Sequence, residues 1–334
     1  MNLKRIYIPI LLGCIGLGMH FGVLAKSGFD IVALGVSGGM QDGNLSAFLI
    51  KHHSDPNWIS CDAGSLTNGI IQAIKKDSFY EYKELTSEGQ NPVGVILQDK
   101  IKGYLISHAH LDHLAGLIIA SPDDKAKPIY ALKSVSDEVN SLYFNWRAWP
   151  NFSSSGDRPL KKYSSVILES YKPVKMENTG LTVTAFPLSH GDMLSTAFLL
   201  ESGNESLLCV GDTGPDSIEQ GNSLHTLWKA VAQRVQTGSL KGIIIESSFT
   251  NSRPDQLLFG HLTPKYILQE LSTLAKLAGQ KSALKDLPVI ISHIKYNVVD
   301  NVNTAEVIQA QLNSQNTLGV RFILPQQGER YALP

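Results

Sequence analysis

Apolar residues fall along this chain in two patterns, short runs of strand length and longer stretches with helical spacing. Phe29–Val36 and Asn44–Lys51 read as strands, separated by a glycine-rich turn, Ser37–Gly43. Trp58–Cys61 is a third short strand that runs into Asp62-Ala63-Gly64. Three strands joined by tight turns predict an antiparallel sheet. Leu66–Lys76 has helical spacing, and the polar stretch 81–91 predicts a loop. Ile101–Ile106 is another strand, with a helix start at Leu114–Ala120. A strand at Pro128–Leu132 and a helix at Ser134–Asn145 follow, then an irregular loop over Trp146–Lys162. The second half repeats the alternation. Strands are predicted at Leu181–Leu188, Thr196–Leu200, Leu207–Val210, Gly242–Glu246, Val289–Ser292 and Arg321–Leu324. Helices are predicted at Ser223–Gln236, Pro264–Leu277 and Ala305–Leu312. With no internal repeat and no low-complexity segment, the pattern predicts one α/β domain.

Between the strand at 101–106 and the following helix lies Ser107–Gly116, SHAHLDHLAG. Its His108, His110, Asp112 and His113 put three imidazoles and a carboxylate into one short turn between two apolar elements. Polar groups this dense are costly to hold together without a shared partner. Imidazole and carboxylate without thiolate suit zinc, iron or manganese at a reactive centre rather than a structural site of four cysteines. Isolated polar residues also end several second-half strands: His190 in FPLSHGD, Asp212 in LLCVGDTG, Glu246 in GIIIESS and His293 in VIISHIK. One histidine after a strand is ordinarily structural. Four such ends beside a metal-ready turn are how an α/β sheet gathers a site on one rim.

The N-terminus differs from the rest. Lys4 and Arg5 precede an uncharged run, Ile6–Leu24, followed by the small residue Ala25. This predicts a secretory signal peptide over 1–25, cut after Ala25, and a single catalytic domain over 26–334. An uncleaved anchor and a lipoprotein cut before Cys14 are the rivals. The first is weakened by Pro9, glycines and His20, the second by the apolar residues that continue past Cys14. Cleavage leaves a periplasmic or secreted protein with no stable membrane insertion. It also removes Lys4 and Arg5 and no acidic residue, so the net charge moves from −1 to −3. There is no basic excess to grip a nucleic-acid polymer. Cys61 and Cys209 remain, each inside an apolar strand. An oxidising compartment would permit a disulfide between them, but buried free thiols are the expected state.

H-x-H-x-D-H followed by a spaced His, Asp and His resembles the metallo-β-lactamase superfamily. The longer string His108–Pro122, HAHLDHLAGLIIASP, resembles the signature of the class II cyclic-nucleotide phosphodiesterases, as do GHLTP at 260–264 and SHIK at 292–295. The resemblance covers nearly all of residues 26–334. It implies a four-layer αββα sandwich with a dinuclear centre, two zinc ions per chain, with manganese or iron compatible with the same ligands. One metal would be held by His108, His110 and His190, the other by Asp112, His113 and His293, with Asp212 bridging them. Asp62 matches a residue that braces the site from behind.

The implied reaction is hydrolysis of a 3′,5′-cyclic nucleotide, cyclic AMP or cyclic GMP, to the 5′-monophosphate by a hydroxide shared between the metals. Asp112 would orient that nucleophile. The leaving 3′-alkoxide is basic, and His261 is the candidate acid, its ring held by Glu246. The run E-S-S-F followed by G-H-L-T resembles the Glu and His pair of the transfer-RNA 3′-processing nucleases. The competing reading has His261 capping the helix that begins near Pro264. Trp146, Trp149 and Phe152 are candidates to stack on the base, with core packing as the simpler account. Lys295 could touch the phosphate, and a solvent-facing lysine is its default. The alternatives are another metallo-β-lactamase-fold hydrolase and a catalytically silent metal-binding protein. The partner implied is a small cyclic nucleotide, and a homodimer is one option for assembly.

Overall fold

The computed structural model describes residues 27–83 and 89–334, so the N-terminal run and its cleavage site lie outside the described residues. β1 (Phe29–Gly35), β3 (Ala47–His52) and β4 (Trp58–Cys61) form the expected antiparallel sheet, with Ile31 opposite Ile50 and Phe48 opposite Cys61. Every residue of these strands is buried. Strands covered on both faces carry continuous rather than alternating apolar sequence, which is how these runs read. β5 (Ile101–Leu105), β6 (Lys127–Leu132) and β7 (Tyr163–Leu168) extend the sheet in parallel, and β16 (Arg330–Leu333) closes its other edge against β1.

Among the described residues a second seven-stranded sheet matches the first. β8 (Pro173–Lys175), β9 (Thr182–His190), β10 (Met193–Ser202) and β11 (Glu205–Val210) are antiparallel neighbours. β12 (Leu240–Glu246), β13 (Pro288–Ser292) and β15 (Arg321–Ile323) continue in parallel. Along β12 the period-two alternation divides the core. Ile244 faces the core shared with the first sheet, while Ile243 and Ile245 pack beneath helices. Those helices are α4 (Ser223–Gln236), α5 (Pro264–Leu277) and α6 (Thr304–Gln315), which bury Trp228, Leu271 and Ile308 on this face. α1 (Thr67–Lys75), α2 (Leu111–Ala120) and α3 (Lys133–Leu142) cover the first sheet with Ile70, Leu117 and Val139. The layers are helix, sheet, sheet, helix, as the resemblance implied.

The structure adds to or departs from the sequence expectation in three respects. Residues 92–100, an α-turn followed by a π-helical stretch, are helical, although the apolar run Val95–Leu97 is too short to show a helical period. The edge strands β7 and β8 and the short β16 carry too little apolar pattern to be read. Finally, Cys61 and Cys209 are not free thiols. They form a disulfide between β4 and β11, their Cα atoms 6.9 Å apart. Both side chains point into the core between the sheets, and their nearness is a property of layer packing that neither strand's own sequence announces. Nearby, Glu205 accepts from the Gly28 amide at 2.7 Å and contacts His52 at 2.9 Å, a second tie between the halves.

Candidate metal centre

The centre lies where β5 ends. Its backbone leaves the sheet at Ser107, and His110 is the N-cap of α2, in extended conformation, so Asp112 and His113 fall in the first turn of that helix. An acidic residue is favoured there by the helix dipole. Asp62, at φ 54° immediately after β4, holds the turn from beneath. It accepts from the Ser107 amide at 2.8 Å, Ser107 Oγ at 2.9 Å and His113 Nδ1 at 2.8 Å.

The second sheet supplies the opposing wall. His190 is the last residue of β9, Asp212 lies two residues beyond β11, Glu246 ends β12, and His293 follows β13 at φ 54°. A left-handed conformation is uncommon for residues other than glycine, and such conformations cluster at functional sites. Gly38 makes room for the His293 ring, since a Cβ there would meet it at 2.2 Å. Gly38 belongs to β2 (Ser37–Gly38), which pairs in parallel with β14 (Ile294–Lys295).

The hydrogen bonds fix which imidazole nitrogen points inward. A carboxylate or carbonyl oxygen can only accept, so His113 Nδ1 donates to Asp62 and His190 Nδ1 donates to the Gly260 carbonyl at 2.7 Å. Ser107 Oγ gives its proton to Asp62, and Ser248 Oγ gives its own to Glu246 Oε2 at 2.6 Å. Each hydroxyl oxygen therefore accepts from a ring, His108 Nδ1 at 3.0 Å and His293 Nδ1 at 2.9 Å. In its neutral form each of the four rings is left with an Nε2 lone pair facing the interior, the arrangement that outer-shell partners impose on metal-binding histidines.

Those nitrogens converge on Asp212. Its Oδ2 lies 3.1 Å from His293 Nε2, 3.2 Å from His113 Nε2, 3.9 Å from His190 Nε2 and 4.0 Å from His108 Nε2. His110 Nδ1 lies 2.9 Å from His108 Nε2 and 3.3 Å from His190 Nε2. The groups His108, His110, His190 and Asp112, His113, His293 each bring their ligand atoms within 4.8 Å of one another. His113 Nε2 is buried without a hydrogen-bond partner. A cation is what such a convergence of lone pairs lacks, so the donor set fits metal.

The charges agree. Burial pushes His108 well below its ordinary pKa, keeping it neutral and able to coordinate. Burial also opposes charge on His113, but Asp212 and Asp62 together outweigh it and hold its pKa well above the usual value, so its inward Nε2 carries a positive charge that a metal ion would take over on displacing the proton. Burial likewise raises the carboxyls of Asp112 and Asp212, and the surrounding imidazoles more than reverse this. Two carboxylates ionised within a buried histidine shell supply the negative charge that a divalent ion requires.

His261 stands beside this shell. Its Nδ1 contacts Glu246 Oε1 at 2.9 Å and lies 3.7 Å from Asp212 Oδ2. Burial lowers its pKa, and Glu246 and Asp212 together more than reverse this. With His190 and Asp212, or with Glu246 and His293, it could also hold an ion. It is not the N-cap of α5, a position that Thr263 takes.

Several neighbours escaped the sequence reading. Ser248 joins Glu246, His261 and His293 through one hydroxyl, and only its position after a strand hinted at this. The Gly39 amide donates to Asp112 Oδ2 at 2.6 Å. The glycine turn thus serves a carboxylate of the site. Trp149 and Phe152 pack against the first core, and Trp146 lies under the Arg158 guanidinium, 5.0 Å away. These contacts match their packing role. A cavity of about 450 Å³ adjoins the β2–β14 wall, lined by Ser37, Gln41, Lys295, Tyr296, Asn297 and Val302 among others.

A model of the cAMP phosphodiesterases class-II family matches residues 29–328. The chain belongs to that family. A 3′,5′-cyclic-nucleotide phosphodiesterase of Aliivibrio fischeri is 47 % identical over 325 residues, covering 96 % of this chain and 97 % of that protein. Unliganded yeast PDE1 superposes with a TM-score of 0.82 at 23 % identity, over 92 % of this chain and 100 % of its own. A metallo-β-lactamase fold protein of Bacillus subtilis superposes with a TM-score of 0.60 at 14 % identity, over 92 % and 100 %. These two likenesses establish the metallo-β-lactamase fold for this class II family member. The ligand groups described above sit within it at the junction of the two sheets.

Proposed function

We propose that this protein hydrolyses 3′,5′-cyclic nucleotides to nucleoside 5′-monophosphates at a dinuclear metal centre, with zinc as the resident metal. The observation that carries the reading is the pair of ligand triads on either side of Asp212 Oδ2, in a chain of the class II phosphodiesterase family. His108, His110 and His190 would hold one ion, Asp112, His113 and His293 the other, and Asp212 both. Bound there, two ions would lower the pKa of a shared water toward 7 and clamp the attacking and leaving oxygens of the diester.

The protein's own groups do the rest. Asp112, partly exposed and held by the Gly39 amide, accepts a hydrogen bond from the attacking water and aims it in line with the ribose 3′-oxygen. His261, steadied through Nδ1 by Glu246, presents Nε2 as the proton donor to that oxygen as the ring opens. The base and ribose have room in the cavity of about 450 Å³, whose Ser37 and Lys295 border the centre. Export is part of the proposal: residues 1–25 have the pattern of a signal peptide, residues 26–334 form the catalytic domain, and the Cys61–Cys209 bridge suits an oxidising compartment. The substrate is then cyclic nucleotide outside the inner membrane.

The test is incubation of the zinc-supplied protein with cyclic AMP and cyclic GMP, with products separated by chromatography. Release of the 5′-monophosphate, abolished by a chelator, is expected. No turnover of any cyclic nucleotide by metal-loaded protein would leave an unassigned hydrolase of the same fold.

A further inference from the structure

Lys295 is held by the site rather than left to solvent. β14 pairs it with Gly38, which lies against the His293 ring, and its amide donates to the Ser248 carbonyl at 3.2 Å. Its backbone is therefore fixed between two segments that carry the metal-ligand shell. The side chain passes Gly39, where an added Cβ would lie 3.9 Å from the Lys295 Cδ, and it crosses the Phe249 ring at 5.4 Å. Its ammonium ends 2.9 Å from His261 Nε2. With His261 Nδ1 directed at Glu246, Nε2 of the neutral ring accepts one of the three ammonium protons, and the contact loosens when that nitrogen itself carries a proton. Among the described residues no carboxylate lies within salt-bridge distance of Lys295, although the chain is rich in such pairs elsewhere. A half-buried cation with spare donors, at the rim of a metal centre and without a counter-charge, has the chemistry to take an anionic oxygen as a further acceptor.

We infer that Lys295 binds a non-bridging phosphate oxygen of the cyclic nucleotide, placing the diester between His261 and the metal-ligand shell. The inference rests on the phosphodiesterase reading for its substrate, though the anion site stands on its own geometry. A phosphoryl oxygen is a charged acceptor, stronger for the ammonium than the neutral imidazole nitrogen it would replace, which leaves His261 Nε2 free to carry the proton for the leaving oxygen. The lysine's contact to His261 also links diester binding to the group that faces the leaving oxygen. No bond is made or broken by Lys295. It contributes a fixed positive charge, and its effect belongs to binding in the ground and transition states alike.

The test compares Lys295→Met and Lys295→Arg with the wild type, all zinc-loaded and checked for equal metal content and thermal stability. The readouts are KM and kcat on cyclic AMP and the dissociation constant of 5′-AMP measured by calorimetry, which needs no turnover. Loss of one charge-assisted hydrogen bond predicts that Lys295→Met raises both KM and the 5′-AMP constant about ten- to a hundredfold, with kcat changing less. Lys295→Arg should recover most of the loss, because it restores the charge. Unchanged 5′-AMP affinity in Lys295→Met with intact metal content would overturn the inference and leave the phosphodiesterase reading in place. Weakened 5′-AMP binding in a protein whose wild type turns over no cyclic nucleotide would support the anion site and remove the substrate assigned to it.

Discussion

The two halves of the molecule build the same centre by opposite means. The first half commits four polar side chains within six residues, His108 to His113, on one turn between a strand and a helix. Their relative positions are set locally, and one residue outside the turn, Asp62, fixes the ring of His113. The second half contributes His190, Asp212, Glu246 and His293 from the ends of β9, β11, β12 and β13, so their positions depend on the register of a whole sheet. Tetherings through His190 to Gly260 and through Ser248 to His293 correct each side chain individually. A locally built site should fail piece by piece, and a globally built one should respond to whatever holds the sheets together.

Asp212 is where the halves meet, so its removal should have the largest effect. Asp212→Ala leaves four inward Nε2 atoms without their common carboxylate. Losing several kcal/mol of charge stabilisation implies a fall in kcat of about a thousandfold or more, read by cyclic AMP hydrolysis. His261→Ala separates chemistry from ligand holding in the second half. A general acid is worth about a hundred- to ten-thousandfold, so turnover of cyclic AMP should fall by that order. An ester with an acidic phenol leaving group should be nearly spared, and equal losses on both would remove the acid role. Asp62→Asn tests the first half. It keeps the shape but loses charge beneath His113, and zinc affinity by chelator competition should fall about ten- to a hundredfold.

The remaining two changes concern the joint between the sheets. Replacing both Cys61 and Cys209 with Ser removes a link spanning 148 residues and should cost about 2–5 kcal/mol of unfolding free energy. Catalysis at 25 °C should change far less, which denaturant titration and an activity assay together would reveal. The smallest effect belongs to Glu205. Burial opposes its ionisation, but Ser27, Gly28, His52 and Lys241 outweigh that and bring its pKa from 4.5 to about 2. A depressed carboxyl stabilises the fold above its unfolded pKa and loses that contribution as pH falls from 4.5 towards 2. Because Glu205 is partly exposed, Glu205→Gln should cost no more than about 1 kcal/mol at pH 7, and the difference from wild type should shrink on acidification.

The same contrast explains what could be read from the chain. The His108–His113 turn was legible because its chemistry is contiguous, and the helices Ser223–Gln236 and Pro264–Leu277 were legible because an apolar face recurs along each. The strand-end ligands were visible only as polar residues that an apolar strand does not need. Ser248 and Lys295 gave no such contrast, since a serine or lysine beside a strand is ordinary, and their contacts with the site form only across the fold. The disulfide was hidden for the same reason. Cys61 and Cys209 look like core thiols until two sheets are stacked and their side chains meet. Trp149 and Phe152 carried an aromatic signal that packing absorbs.

The measurement that bears most directly on a centre shared between the halves is metal stoichiometry by elemental mass spectrometry of protein purified with zinc. Wild type, His190→Ala and His113→Ala would be compared at equal concentration. Two equivalents in the wild type, falling to about one in either variant, are expected of a dinuclear site with one ion held by each triad. One equivalent in the wild type, or two retained in both variants, would contradict it.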